Sequence, residues 1–195
     1  MVRHIMKTIK GFTLIELMIA LAVSSIVAVG VMKAYVGQSV VIVRQARTTQ
    51  ATEDGREAFT ILSRLLKQSV ASTISITQPD TSNTTIDFTI PDGFPIWPNE
   101  TAPYANSAIR LSWTDTGNDA HKILLSTATS IANLGAATTA NFAGDSTSGN
   151  TQISSLTLDD NADGSYSLTL IAQVENGASS SPLTASFESM ILPRN

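Results

Sequence analysis

The sequence predicts an α+β protein in which one long N-terminal helix packs on an antiparallel β-sheet. An apolar run lies near the N-terminus, and a stripe of apolar and small residues at helical spacing continues after it to about residue 71. Beyond that point Ser, Thr, Asn and Gly dominate, and short runs alternate between apolar and polar residues. Helical spacing followed by alternation predicts a helix laid against a sheet, and 195 residues suffice for one such domain and an anchor.

The first half of the predicted helix has the length and composition of a membrane span. From Phe12 to Met32 there are 21 residues with a single charged side chain, Glu16. As a helix they extend about 31 Å, close to the hydrocarbon thickness of a bilayer. A secretory signal peptide would share the basic start, but the run is long for one and no clean cleavage site follows it. We therefore predict a transmembrane helix over residues 12–35, with its basic N-terminal flank in the cytoplasm.

The carboxylate of Glu16 is the unusual feature of this run. A charged side chain costs roughly 2.5–3.5 kcal/mol near the centre of a membrane helix, and less near an end. A plain single-pass anchor therefore explains the length of the run but not the acid. Gly11, directly before the run, is a second feature that an anchor leaves unexplained.

The stretch KGFTLIEL resembles the class III signal of type IV pilins and pseudopilins. The resemblance implies that a prepilin peptidase cuts between Gly11 and Phe12 on the cytoplasmic face and N-methylates Phe12. Residues 1–11 would then form the leader, whether translation starts at Met1 or at Met6. The apolar helix would stay on the mature chain.

The resemblance also implies a role for Glu16 in assembly. In this family the acid at the fifth mature position, here Glu16, pairs with the N-terminal amine of a neighbouring subunit. A charge buried in an apolar bundle is tolerable only when it is paired. Such a pair would also set the axial stagger between helices, as polar groups set register in coiled coils. The implied partners are the peptidase, other major and minor pilins, and the inner membrane.

The second half of the helix, over residues 36–71, is predicted to be amphipathic. Its stripe repeats at intervals of four and three residues: Ala51, Gly55, Ala58, Leu62, Leu65 and Ser69. Charged residues lie off the stripe: Glu53, Arg56, Glu57, Arg64 and Lys67. The stripe should therefore pack on the sheet. The segment ATEDGREAFTILSRLLKQSV also resembles the segment after the anchor in PilW-type minor pilins, and a similar run occurs in J-type pseudopilins of type II secretion.

Residues 72–195 are predicted to form a β-rich globular domain. Seven strand candidates are Thr73–Thr77, Thr84–Ile90, Ala108–Trp113, Lys122–Ser126, Gln152–Leu158, Tyr166–Val174 and Leu183–Ile191. The proline-rich stretch 91–104 is predicted to be a loop, because proline does not fit a central strand. Residues 134–150 consist mainly of small residues and are predicted to be an exposed loop.

Composition excludes several classes of function. The chain has no cysteine, so it can form no disulfide, thiol nucleophile or cysteine-based metal site. Residues 68–195 carry three Lys or Arg against twelve Asp or Glu. A surface that acidic is poorly suited to phosphate, so we expect no nucleic-acid partner.

The stretch LDDNADGSY contains the first half of a calcium-loop pattern, with Asp159, Asn161 and Asp163 as the candidate ligands. A full loop has a carboxylate at its twelfth position, where this chain has Leu170. The other interpretation is a hairpin turn, in which Asp, Asn and Gly supply the turn conformations. We predict the turn, with calcium as the alternative, and expect no other cofactor.

No catalytic residues are predicted. His121 lies near Asp119 and many serines, but proximity in sequence is no evidence of geometry, and no nucleophile-elbow motif is present. The other histidine, His4, falls in the predicted leader. We therefore expect that the chain is not an enzyme.

Taken with the resemblance, these features predict a prepilin that matures into a minor pilin of a type IV pilus. It would take part in the priming or tip complex through helix and globular contacts with other pilins. The expected location is the bacterial inner membrane, as a single-pass protein with a periplasmic globular domain, and afterwards the pilus or pseudopilus. A J-type minor pseudopilin is the alternative within this class. A membrane-anchored periplasmic binding module is the alternative from another class.

Overall fold

A computed structural model of the chain describes residues 12–80, 82–91, 107–145, 150–175 and 181–194. Within them, the helix α1 (Leu14–Gln68) is followed by eight β-strands. The chain divides into two compact units, residues 1–44 and 45–195. The predicted leader, with Gly11 and His4, lies outside the described residues, as does most of the proline-rich stretch. The long helix and the strands confirm the predicted α+β class.

In the first unit, α1 presents many exposed apolar side chains, from Leu14 to Val43. Every described residue up to Arg44 is exposed, including Ile15, Ile26 and Tyr35. By length and composition, the helix is sufficient to cross a membrane. An apolar surface of this extent is unfavourable in water, so it requires lipid or other helices around it.

In the second unit, the strands form two antiparallel sheets. The five-stranded sheet follows chain order and contains β1 (Ser75–Asp80), β2 (Asn83–Ile90), β3 (Ser107–Thr114), β4 (Lys122–Ala128) and β5 (Thr139–Ala143). The three-stranded sheet contains β6 (Thr151–Asp160), β7 (Tyr166–Val174) and β8 (Leu183–Ile191). All seven predicted strands are present, divided between two sheets instead of one. Short 3-10 turns lie at Ala71–Thr73 and Ile131–Ala136.

The prediction of a loop over residues 134–150 is wrong for β5. This strand pairs with β4 through Ser126↔Thr139 and Leu125↔Ala140. Its first three residues are exposed, so the strand buries little of its own surface, and its Ala and Asn residues have a low preference for strands. Residues 139–143 therefore form a strand because they pair with β4, although their intrinsic preference for strand structure is weak.

The helical stripe forms the centre of the core of the second unit. All six predicted stripe positions are buried, and Leu62 has no exposed surface. The five charged residues predicted to lie off the stripe are exposed. Stripe residues pack in one apolar cluster with residues of both sheets, such as Phe88 and Leu168. Helical periodicity thus predicted which face of α1 is buried.

Side chains of the five-stranded sheet donate hydrogen bonds to backbone carbonyls of β6, an edge strand of the three-stranded sheet. Trp113 Nε1 donates to the carbonyl of Ile153 at 2.8 Å, and Thr84 Oγ1 donates to that of Leu156 at 2.7 Å. These bonds satisfy buried carbonyls that have no strand partner on that side. The two sheets are thereby joined by directional bonds as well as by apolar contact.

Candidate functional site

The N-terminus of α1 is closed by a reciprocal pair of hydrogen bonds between Thr13 and Glu16. The backbone N–H of Thr13 donates to Glu16 Oε2 at 2.9 Å, and the backbone N–H of Glu16 donates to Thr13 Oγ1 at 3.3 Å. Thr13 Oγ1 also donates to the same carboxylate oxygen at 3.0 Å. Because Leu14 is the first helical residue, this arrangement is a capping box with Thr13 at the N-cap and Glu16 at N3.

The capping box explains why a carboxylate is favourable at Glu16 although the surrounding run is apolar. The first N–H groups of a helix have no partners within the helix, and the positive end of the helix dipole favours a negative charge. Glu16 lies in this first turn, where both effects are strongest. Sequence reasoning missed the cap, although the spacing of Thr and Glu three residues apart is its known signature.

The cap leaves part of the carboxylate available for a second partner. All of its hydrogen bonds within the described chain are made by Oε2, and Oε1 has none. An ionised carboxylate can accept about four hydrogen bonds. Glu16 can therefore cap its own helix and accept a bond from another chain at the same time. Phe12, which would carry the mature N-terminus, directly precedes the cap and is 89% exposed.

The candidate calcium residues lie at the turn between β6 and β7. The last pair of the two strands is Asp160↔Tyr166, and Gly164 has a φ of 83°, a conformation that favours glycine. Asp163 Oδ1 accepts from the backbone N–H of Ser165 at 2.8 Å and also from its hydroxyl. The Asn161 amide donates to Ser165 Oγ at 3.0 Å. The predicted hairpin turn is therefore present.

Two of the three candidate calcium ligands make side-chain hydrogen bonds within this turn. The Asp163 carboxylate accepts from the Ser165 backbone, and the Asn161 amide donates to the hydroxyls of Ser165 and Ser167, whereas Asp159 is exposed on β6. Among the described residues, no group of three acidic or histidine side chains is placed to hold a metal ion. The hydrogen bonds from Ser165 lower the pKa of Asp163 below its usual value. Calcium binding stays an untested alternative to the turn.

Replacing Asp163 with alanine is expected to lower the melting temperature slightly, with and without calcium. The variant loses the bonds to Ser165, and its effect should disappear at low pH. Because the pKa of Asp163 is lowered on folding, its stabilisation is fully present above the ordinary aspartate pKa and is lost as pH falls through the lowered value. Asp159→Ala is the matched control, since it removes a candidate ligand but no turn bond. A calcium-dependent rise in melting temperature that both variants abolish would establish the metal site instead.

His121 and Asp119 lie in the connection between β3 and β4. His121 has a φ of 63°, its backbone N–H donates to Thr114 at 2.8 Å, and its carbonyl accepts from Ile153 at 2.9 Å. Asp119 Oδ1 lies 3.6 Å from Lys122 Nζ. Within the described residues, His121 Nδ1 is buried and has no hydrogen-bond partner. The two residues thus have structural positions in a turn and form no hydrogen bond with each other.

The comparisons with known proteins bear on the N-terminal segment. The family described as the prokaryotic N-terminal methylation motif matches residues 6–32, which include Gly11, Phe12 and Glu16. No curated protein and no solved structure matches the chain significantly. Residues 14–32 of this motif belong to the exposed, apolar part of α1, and α1 continues into the unit of antiparallel sheets. This combination fits a membrane-anchored pilin. It supports a prepilin of the type IV pilin or pseudopilin type, which implies processing by a prepilin peptidase and interactions with other pilins.

Proposed function

We propose that this prepilin matures into a minor pilin that takes part in type IV pilus assembly, in the priming or tip complex. The observation that carries the proposal is the methylation motif, whose residues 14–32 lie on α1. The same helix provides an exposed apolar half and a half whose stripe is buried against two sheets. This is the architecture that a filament subunit needs, since one helix must serve as membrane anchor, packing surface and support for a globular unit.

The proposed cycle follows from the exposed half of α1. Cleavage between Gly11 and Phe12 removes the basic leader and keeps the apolar helix. The subunit then stays in the inner membrane, with its β-rich unit in the periplasm. During assembly, neighbouring helices replace lipid around the apolar surface, while Glu16 Oε1 accepts a bond from the N-terminal amine of the next subunit. No catalytic step is assigned to the globular unit.

The minor-pilin role is supported by the segment from Ala51 to Val70, which resembles that of PilW-type minor pilins. The same segment resembles J-type pseudopilins, so a minor pseudopilin of type II secretion is the second candidate. The two differ in their partner subunits. Cross-linking in the native host, followed by identification of the attached subunits, distinguishes pilus subunits from subunits of the secretion system.

Mass spectrometry of the N-terminus tests the proposed processing. In cells that contain a prepilin peptidase, the protein extracted from membranes is expected to begin at N-methylated Phe12. In cells without the peptidase it should keep its leader. Gly11→Val is expected to block cleavage, whereas Gly37→Ala, in the same chain but outside the signal, should leave it unchanged. Retention of Met1 or Met6 in peptidase-containing cells would contradict the proposal.

A further inference from the structure

The outer side of β8 is an open edge of the three-stranded sheet. All nine residues of the strand pair with β7, and their register is uninterrupted. Antiparallel pairing uses the backbone groups of alternate residues, so the remaining residues direct their N–H and C=O groups away from β7. Within the part of the chain that the structure describes, no backbone hydrogen bond joins these groups to another segment. They form a row of donors and acceptors on which a further strand can pair.

The other described edges of the two sheets are irregular, short or covered. The pairing of β1 shifts register between Thr77 and Asp80, and β5 has only five residues. Side chains of Trp113 and Thr84 bind carbonyls of β6. Such features protect an edge against pairing with a foreign strand. In contrast, β8 has no proline and no register shift, and Glu188 is its single charged residue.

The core is incompletely covered beside β8. On β7, alternate residues from Tyr166 to Val174 are buried. Their neighbours on the same face of β8 are only half-buried: Leu183, Ala185, Phe187 and Ser189. The apolar face of the sheet therefore extends to an edge where no further strand protects it. Side chains from an added strand would complete this burial, because every second residue of a strand faces the same side of the sheet.

A groove of 460 Å³ lies between α1 and β8 and is apolar at one end and basic at the other. At the apolar end, Phe59 stacks on Phe187 with 5.8 Å between ring centroids. At the basic end lie Arg64 and Lys67, next to Ser189. Both cations are exposed and form no ion pair within the described residues. The groove is thus placed to receive the inward-facing side chains of a strand that pairs with β8.

The spacing of the two ends of the groove defines the side chains that fit. Phe187 and Ser189 are two positions apart on β8, which is about 7 Å along a strand. Phe59 and Arg64 are five positions apart on α1, which is about 7.5 Å along a helix. Two side chains at positions i and i+2 of an added strand match both distances. The first should be apolar and the second a carboxylate, the usual partner of guanidinium and ammonium groups.

We infer that β8 binds an extended segment of a different protein as an added strand, with an apolar side chain beside Phe187 and a carboxylate beside Arg64 and Lys67. A second copy of β8 fits less well, because its inward-facing residues include no carboxylate and Glu188 lies on the opposite, exposed face. One added strand fills the edge, so the contact accepts one partner and does not repeat. This inference goes beyond the proposed function, because it assigns a partner surface to the β-rich unit.

A synthetic peptide tests whether β8 accepts a strand. The probe is a fluorescent peptide of about nine residues, matched to the length of β8, with Thr at odd positions and Val, Leu, Glu and Val at even positions. Two isomers carry backbone N-methyl groups at odd or at even positions, which removes the N–H donors from one side of the strand or from the other. Anisotropy is measured with the full-length protein in detergent.

We expect one N-methylated isomer to bind like the parent peptide and the other to bind at least about tenfold more weakly, because only one side of the added strand pairs with β8. Equal affinity of the two isomers, or no saturable binding below about 1 mM peptide, would overturn the inference. If the full-length protein self-associates and the peptide disrupts that association, the occupant of the edge is a second copy, and the inference is wrong.

Charge reversal tests whether the added strand covers the groove. Lys67→Glu is expected to weaken binding of the peptide about fivefold and to strengthen binding of a peptide with Lys in place of Glu. Arg56→Glu is the matched control, because it reverses an exposed charge on α1 that does not line the groove. Equal effects of the two variants would contradict the proposed position of the strand. None of these measurements requires cleavage after Gly11, so their outcome is independent of the proposed function.

Discussion

The Glu16→Ala variant is expected to enter filaments at least about tenfold less than the parent protein, while its amount in the membrane stays similar. In the proposed assembly, the carboxylate pairs with the N-terminal amine of a neighbouring subunit. Its removal leaves that amine as an unpaired charge among apolar helices, and breaking a buried pair costs about 3–5 kcal/mol. Each 1.4 kcal/mol corresponds to about a tenfold change in an equilibrium constant. The measurement is the ratio of filament-bound to membrane-bound subunit by quantitative immunoblotting.

Two further variants separate pairing between subunits from capping within one subunit. Glu16→Gln keeps an oxygen that can accept from the Thr13 N–H but loses the charge. Thr13→Ala keeps the charge but loses the Oγ1 that caps the helix, which typically costs about 1 kcal/mol. We expect Glu16→Gln to be nearly as severe as Glu16→Ala, and Thr13→Ala to be mild. The reverse order of severity would show that the cap, and not the charge pair, is what assembly requires.

The buried face of α1 could be predicted from the sequence because it depends on local periodicity. Every fourth or third residue from Ala51 to Ser69 lies on one side of any α-helix, so the buried stripe follows from spacing alone. The same reasoning found β7, where alternate residues from Tyr166 to Val174 are buried. It failed at β5, because that strand is stabilised by pairing with β4 and buries little of its own surface.

The two parts of the candidate site differ in how far the sequence could predict them. The capping box follows from the spacing of Thr13 and Glu16 alone, so the sequence is sufficient to predict it. The position of His121 depends instead on a contact distant in sequence, because its carbonyl accepts from the backbone N–H of Ile153 at 2.9 Å. Such tertiary neighbours leave no signal in local spacing.

Gly55→Val is expected to destabilise the second unit by about 3 kcal/mol, at the upper end of what overpacking of a core typically costs. An added Cβ at Gly55 would lie 2.7 Å from the Cβ of Ala172 and 2.7 Å from Cε2 of Phe187. The Ala172 Cβ can move only with the backbone of β7, the central strand of its sheet. The Phe187 ring is held by stacking on Phe59. Thermal unfolding of the full-length protein in detergent, followed by circular dichroism, measures the loss.

Gly55→Ala provides the sharper test, because helix propensity and packing predict opposite signs. Propensity alone favours alanine over glycine by up to about 1 kcal/mol within a helix. The contacts at 2.7 Å require neighbours to shift even for one methyl group, so we expect this variant also to lower the melting temperature. Gly37→Ala, in the same helix with no atom within 4 Å of the added Cβ, should not lower it. If Gly55→Ala instead raised the melting temperature, glycine would not be required at this position, and the close approach of α1 to β7 and β8 would be wrong.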